Sequence, residues 1–334
     1  MNPRTLPLLA TLGVFLLAYA LCALQFPAML STRVVANLLT DNAFLGIVAV
    51  GMTFVILSGG IDLSVGSVIA FTGVFLAVTI RAGLDPVAGF ILVLAITTAF
   101  GAVMGAMIHY LETPPFIVTL AGMFLARGVC FLMTTDSIPI DHPVYDTLTG
   151  LSWRIPSGGR LSLIGGVMVL VFIAGIVLAH RTRFGTAVYG LGGNRTSAEL
   201  MGVPVARTTI LIYALSSGLA GLAGIVFSLY TSAGYSLAAT GVELDTIAAV
   251  VIGGTLLTGG VGTVAGTFLG VMIQGLIQTY VIFDGTLSSW WTKIVIGGLL
   301  FAFIVFQRGL VHMAARRREA ARLATGMPVV SPAG

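Results

Sequence analysis

Apolar residues gather into ten runs, at 6–24, 43–57, 65–80, 88–110, 116–133, 161–179, 209–229, 247–257, 264–283 and 290–306, separated by polar or glycine-rich breaks. A straight helix needs about 20 apolar residues to cross the roughly 30 Å hydrocarbon layer, and several runs fall short of that. Some short runs abut glycine pairs, the pattern of discontinuous helices whose broken backbone faces a cavity and not lipid. The pattern predicts an all-α polytopic membrane protein of about ten transmembrane helices, glycine-broken at its centre. The first run follows Arg4 as the apolar stretch of a signal peptide follows its charged region. It is about 19 residues long, and its small-x-small pattern Ala18-Tyr19-Ala20 lies inside it, so it reads as a retained helix.

Basic residues between the runs set the orientation. With the N-terminus in the cytoplasm, Arg4, Arg181, Arg183, Arg195, Arg207, Arg308, Arg316, Arg317, Arg318 and Arg322 lie inside, and Arg33, Arg81, Arg154 and Arg160 outside. The outer loops collect Asp41, Asp85, Asp136, Asp141, Asp146 and Asp284. An even helix count keeps the Arg-rich tail inside, so both termini are expected to be cytoplasmic. The membrane body then covers residues 1–310, and residues 311–334 form a cytoplasmic tail.

Two longer polar segments interrupt this body. Segment 134–160 falls on the periplasmic side, carries prolines, acidic residues and Trp153, and has the length for a short cap or docking ledge. Segment 180–207 is cytoplasmic; there Gly192, Gly193 and Asn194 precede a helix-capable stretch from Thr196 to Met201, stopped by Gly202 and Pro204. Such stop signals predict a short amphipathic helix lying at the cytoplasmic face.

Composition agrees with this class. A chain that is 57% hydrophobic and 8% charged, with a mean hydropathy of +1.06, falls outside the soluble classes. Its 43 glycines suit membrane helices whose backbones approach closely. The net charge of +4 comes from scattered arginines and one tail cluster, without the aromatic interleaving of a nucleic-acid surface. Cys22 and Cys130 sit in apolar runs as small packing side chains, with no disulfide or metal role expected.

Energy-converting and catalytic motifs are missing. No G-x-x-x-x-G-K-S/T occurs and the only lysine is Lys293, so this chain does not hydrolyse ATP through a P-loop. Gly260-Val261-Gly262-Thr263-Val264-Ala265-Gly266 has the glycine density of a phosphate loop but no preceding strand; it reads as a tight turn or packing element. His109, His142, His180 and His312 are dispersed and match no metal-site spacing. A Gly-x-Ser-x-Gly elbow is also missing. No catalytic residue, metal or cofactor is expected on this chain.

An ionisable group in hydrocarbon costs at least ~2.5 kcal/mol unless it meets a cavity or a partner. Asp62, Arg127, Glu243, Asp245 and Lys293 are therefore the informative charges. Asp62, within Ser58-Gly59-Gly60-Ile61-Asp62-Leu63-Ser64, is placed either to cap the helix that follows or to serve as a gate or solute contact. Arg127 is placed to pair with one of the carboxylates or to reach an interface. Glu243 and Asp245 stand where a helix N-terminus favours acidic residues. Gly59, Gly60, Asp62, Ser64, Glu243 and Asp245 form the candidate translocation path or gate. Trp290 and Trp291 fit an interfacial belt better than a solute-stacking platform. Gly59, Gly60 and Gly66 recur as Gly253, Gly254 and Gly260 at an offset of 194, which would mark two related halves.

Four stretches together resemble the permease subunits of carbohydrate ABC importers of the ribose and galactose type. They are Gly59-Gly60-Ile61-Asp62-Leu63-Ser64-Val65-Gly66-Ser67; Pro115-Phe116-Ile117-Val118-Thr119-Leu120 with Arg127-Gly128; Gly192-Gly193-Asn194 through Gly202-Val203; and Glu243-Leu244-Asp245 with Gly253-Gly254-Thr255 and Gly259-Gly260. They occur in the family's order, and the similarity runs over residues 6–310. Within the family, Ile138-Pro139-Ile140-Asp141-His142-Pro143 and Phe283-Asp284-Gly285-Thr286-Leu287-Ser288-Ser289-Trp290-Trp291 resemble the permease of the galactofuranose importer most.

The resemblance implies a division of labour. A periplasmic sugar-binding protein captures the sugar, two permease subunits form the path, and ABC ATPase subunits that bind ATP and Mg drive alternating access. Resemblance to the galactofuranose system implies a paralogous heterodimer of permeases in the bacterial inner membrane. It also implies that Gly193, Asn194, Thr196, Ser197, Ala198, Met201, Gly202 and Val203 are the ATPase-coupling segment, a short helix able to transmit a rigid-body push. Where the family often has two alanines and an arginine, this chain has Ser197, Ala198 and Glu199, which keeps small residues and reverses a charge. Taken alone, the residues also accommodate an ion-coupled secondary transporter using Asp62 and Asp245, or an intramembrane enzyme or scaffold. Permeases for other sugars, nucleosides or branched-chain amino acids share the glycine-rich motifs.

Overall fold

The computed structural model describes residues 6–155, 158–305 and 309. In chain order its helices are α1 (Leu6–Gln25), α2 (Thr32–Asp41), α3 (Ala43–Leu57), α4 (Val65–Arg81), α5 (Pro86–Tyr110), α6 (Pro115–Met133), α7 (Pro143–Gly150), α8 (Leu163–Arg181), α9 (Arg183–Gly193), α10 (Arg195–Leu200), α11 (Val205–Thr231), α12 (Val242–Ile252) and α13 (Val264–Asp284). A last helix, α14, covers Trp290–Val305. Each of the ten apolar runs carries one of these helices. Arg4, Arg308 and the tail arginines at 316–318 and 322 lie outside the described residues.

Among the described residues, six helices (α1, α5, α6, α8, α11 and α13) are long and apolar enough to cross a membrane, and α2 and α3 form a pair bent by 57°. By contrast, α4 and α14 are shorter apolar helices, and α12 has 11 residues.

Helix starts follow local chemistry. Asp85 accepts from the backbone N–H groups of Val87 and Ala88 at 2.9 and 3.1 Å ahead of Pro86. Ser162, Thr182 and Thr263 cap α8, α9 and α13 in the same way. Each satisfies donors that have no partner inside the helix.

The core forms around α3, in which every residue but Phe44 is buried. Glycine governs its neighbours. A Cβ on Gly101 of α5 would lie 2.2 Å from the Tyr213 carbonyl oxygen of α11, and one on Gly51 of α3 would lie 2.9 Å from the Ser216 Cα. These backbones touch, which in a membrane replaces the hydrophobic drive that lipid removes. By comparison, only 11% of the spanning window of α1 is buried, so its side chains are free to face lipid.

The 134–160 segment holds more structure than a loop. β1 (Ile138–Pro139) pairs antiparallel with β4 (Ala233–Gly234), Ile138 opposite Gly234. β2 (Ser152–Arg154) pairs with β3 (Arg160–Ser162). Between them, the Tyr145 hydroxyl of α7 bonds the Ser228 hydroxyl of α11 at 3.0 Å. Burial pushes the Tyr145 phenol up to about 12, only partly offset by that bond.

Candidate coupling and translocation site

The glycine pairs build one junction from three parts of the chain. At the end of α3, Gly59 takes φ +86° and donates to Ile56 O at 2.9 Å, while Gly60 donates to Val55 O at 3.0 Å. At the end of α12, Gly254 takes φ +92° and donates to Val251 O at 2.9 Å, while Thr255 donates to Val250 O at 3.2 Å. The two termini are the same glycine-dependent helix stop. Gly59 matches Gly254 and Gly60 matches Thr255, so the structural offset is 195 and the expected 194 is corrected. Glycine letters aligned one place away from the positive-φ position that the backbone requires.

The α3 stop then meets the turn between α12 and α13. The Gly260 N–H donates to Leu57 O at 2.8 Å, within a turn where Gly259 and Gly260 both have positive φ. Residues 260–262 are thus a tight turn, Thr263 caps α13, and Gly266 in the first turn of that helix packs on Gly253, where a Cβ would lie 2.1 Å from the Gly253 carbonyl oxygen. Gly192, near the end of α9, fills the remaining space: a Cβ there would fall 1.8 Å from Leu57 O and 2.5 Å from Gly260 N.

From this junction the chain enters α10. The Asn194 side chain accepts from Ser197 N–H at 2.8 Å, which starts the helix at Arg195, one residue before the expected start. Gly202, at φ +81°, donates to Glu199 O at 2.9 Å, and Val203 donates to Ala198 O at 3.0 Å. Ala198 is buried, Leu200 and Met201 are exposed, and Asn194, Thr196 and Ser197 face outward as well. The preceding α9 is unannounced by the sequence, because four glycines argue against a helix there. Its glycines serve close approach: a Cβ on Gly185 would strike Ala179 O at 2.1 Å.

Asp62 lies in the extended segment between α3 and α4 and is fully buried. One carboxylate oxygen accepts from Ser64 N–H at 2.9 Å and Ser64 Oγ at 2.6 Å. The other accepts from Ser216 Oγ of α11 at 2.8 Å. The carboxylate therefore organises the residue at the N-cap of α4 and ties it to α11; the first-turn N–H groups of α4 are not its partners. Close by, the Thr119 hydroxyl donates to Ile61 O at 3.2 Å. The buried Tyr213 hydroxyl has no hydrogen-bond partner among the described residues, and a Cβ on Gly60 would lie 2.3 Å from it.

The other charges divide. Glu243 stands in the first turn of α12 with its carboxylate against Gly66 of α4, where a Cβ would meet it at 2.2 Å. It thus faces the N-terminal ends of two helices, a favourable place for negative charge. Arg127 donates to the carbonyls of Ser236 and Ala238 at 2.5 and 2.8 Å, fastening the segment before α12 to α6. Asp245 belongs elsewhere: it pairs with Lys293 of α14 at 2.5 Å. The candidate path residues are thus two groups, with Asp62, Ser64 and Glu243 around the start of α4 and Asp245 apart. Sequence reasoning missed Ser216 and Tyr213. The polar pair Ser216-Ser217 inside an apolar run was the available signal.

A family model described as "Branched-chain amino acid transport system / permease component" matches residues 34–304. The chain belongs to this permease family. The permease is 66% identical to the inner membrane ABC transporter permease protein YjfF of Escherichia coli, over 96% of this chain and 97% of that protein. It is 36% identical to the fructose import permease protein FruG of Bifidobacterium longum, covering 95% of each chain. It is 37% identical to the ribose import permease protein RbsC of Bacillus subtilis, over 89% of this chain and 91% of that one. With several apolar helices of spanning length and these relatives, the permease is a multi-pass protein of the bacterial inner membrane.

Proposed function

We propose that this permease forms part of the transmembrane path of an ATP-driven sugar importer and moves a monosaccharide, galactofuranose, from periplasm to cytoplasm. The observation that carries the reading is that α10 follows directly on α9, whose Gly192 lies against Leu57 O at the end of α3 and Gly260 N in the turn between α12 and α13. A force on a six-residue helix that continues into α9, itself packed backbone to backbone on these two places, moves packed backbone as a rigid unit, which a free loop cannot do.

In this reading the ten helices of the apolar runs are ten crossings with both termini cytoplasmic, and residues 1–310 are the permease domain. The ends at 58–64, 182–204 and 253–263 then all fall on the cytoplasmic side, consistent with their contact. Gly193, Asn194, Thr196, Ser197, Ala198, Met201, Gly202 and Val203 dock on an ABC ATPase, which supplies the ATP and Mg chemistry. A periplasmic sugar-binding protein delivers the solute against the 134–160 segment. A paralogous second permease completes the path. Sugar is favoured over branched-chain amino acids by the relatives that import fructose and ribose. The finer choice of galactofuranose rests on the resemblance of 138–143 and 283–291 at the outer rim.

The test is uptake in proteoliposomes containing the permease with its partner permease, ATPase and binding protein. ATP-dependent uptake preferring the furanose form of galactose is the expected result. Uptake without ATP sinks the import reading.

A further inference from the structure

A cavity of about 510 Å³ opens between the ends of α2, α11 and α13 and the starts of α3, α12 and α14. It lies across the molecule from α10. The 27-residue α11 begins five residues after that helix ends and carries Tyr230 of the cavity wall about 40 Å away at 1.5 Å per residue.

Its wall is chemically mixed. Asp245 and Lys293 form their ion pair there, with Lys293 54% exposed. Asp41 accepts a hydrogen bond from the Tyr230 hydroxyl at 3.2 Å. Gln278 lines the same space and has no hydrogen-bond partner among the described residues. Trp290 presents a ring that is 74% exposed. A charged pair facing hydrocarbon is costly, which favours a space open to the aqueous side over one facing lipid.

We propose that the cavity is a monosaccharide subsite of the permease itself, the first to receive the solute on the outer side. The volume lies within the roughly 300–1,000 Å³ of small-molecule sites. Carboxylates accept from sugar hydroxyls, the Gln278 amide supplies both a donor and an acceptor, and an aromatic face covers the C–H face of a sugar ring. A lipid phosphate would meet two carboxylates against one ammonium, which selects a neutral polyol. The inference rests on the import reading and adds where the solute first binds.

The test uses the complete transporter in proteoliposomes. Gln278→Cys is labelled with a membrane-impermeant maleimide, the native Cys22 and Cys130 being buried, and D-galactose, D-ribose and glutamate are added in turn with the binding protein withheld. The sugars are expected to slow labelling severalfold and glutamate to leave it unchanged. Labelling unaffected by either sugar, or slowed equally by glutamate, overturns the subsite even where ATP-dependent uptake is intact. In parallel, Gln278→Ala and Trp290→Leu should each raise the KM for uptake about tenfold, the scale of one lost polar or stacking contact. An unchanged KM in both overturns the subsite. Absence of ATP-dependent uptake in the unsubstituted transporter counts against the import reading alone, and the labelling result still decides the subsite.

Discussion

The backbone N–H of Gly260 donates to the carbonyl of Leu57 at 2.8 Å, joining the end of α3 to the turn between α12 and α13 in the opposite half of the chain. No side chain intervenes, so the contact has the stiffness of backbone. Gly192 lies against the same carbonyl, and the proposed coupling helix starts three residues later. In the proposed function, a push on α10 would pass through α9 to the end of α3 and to the turn after α12.

Substitution at Gly192 tests this contact. A Cβ would overlap Leu57 O at 1.8 Å, whereas a Cβ at Gly193 meets nothing within 4 Å. Gly192→Ala is expected to cut ATP-driven uptake at least tenfold or to destabilise the permease by about 1–3 kcal/mol, the usual cost of overpacking. Gly193→Ala should cost no more than a few tenths of a kcal/mol. Uptake and thermal unfolding in detergent distinguish the two, and equal behaviour would refute the junction.

The end of α10 offers a second test. Gly202 takes φ +81° and its N–H is bonded to Glu199 O, so proline fits neither the angle nor the bond. Gly202→Pro, or deletion of residues 196–201, should abolish ATP-driven uptake while membrane insertion persists. Normal uptake by either variant removes the coupling assignment.

Asp62 separates hydrogen bonding from charge. Asn keeps an acceptor for Ser64 and supplies a group that can bond Ser216, whereas Leu orphans both partners. Asp62→Leu should cost about 2–4 kcal/mol and Asp62→Asn about half of that or less, on the cost of stranded buried polar groups. Thermal unfolding reads the difference. Equal, complete loss of transport with a normal fold would show that the charge itself is required.

Arg127 ties α6 to the carbonyls of Ser236 and Ala238. Arg127→Met should raise hydrogen exchange over residues 235–241 by at least tenfold, a loss of about 1.4 kcal/mol in local opening. Unchanged protection there would show that the segment is held by other contacts.

Tyr145 gives a pH signature. Its folded-state phenol is raised to about 12 by burial, above the ordinary value of about 10. The stability this contributes is full below the unfolded value and lost as pH rises from about 10 to 12. Wild type should lose stability relative to Tyr145→Phe over that window, and parallel curves would contradict the burial.

By itself the sequence determined the membrane class, the helix carried by each apolar run, the stop of α10 at Gly202 and the identity of the informative charges. These are local quantities: hydropathy over a window, a cap, a residue that tolerates positive φ. Tertiary structure decided the rest. It paired Asp62 with Ser216 and Asp245 with Lys293, fastened the 134–160 segment by β1 to β4, and made a helix of α9 despite its glycines. It also moved the internal match from 194 to 195. Glycine composition says only that backbones can come close; which backbones do so depends on contacts between residues far apart in the chain, and no local pattern encodes them.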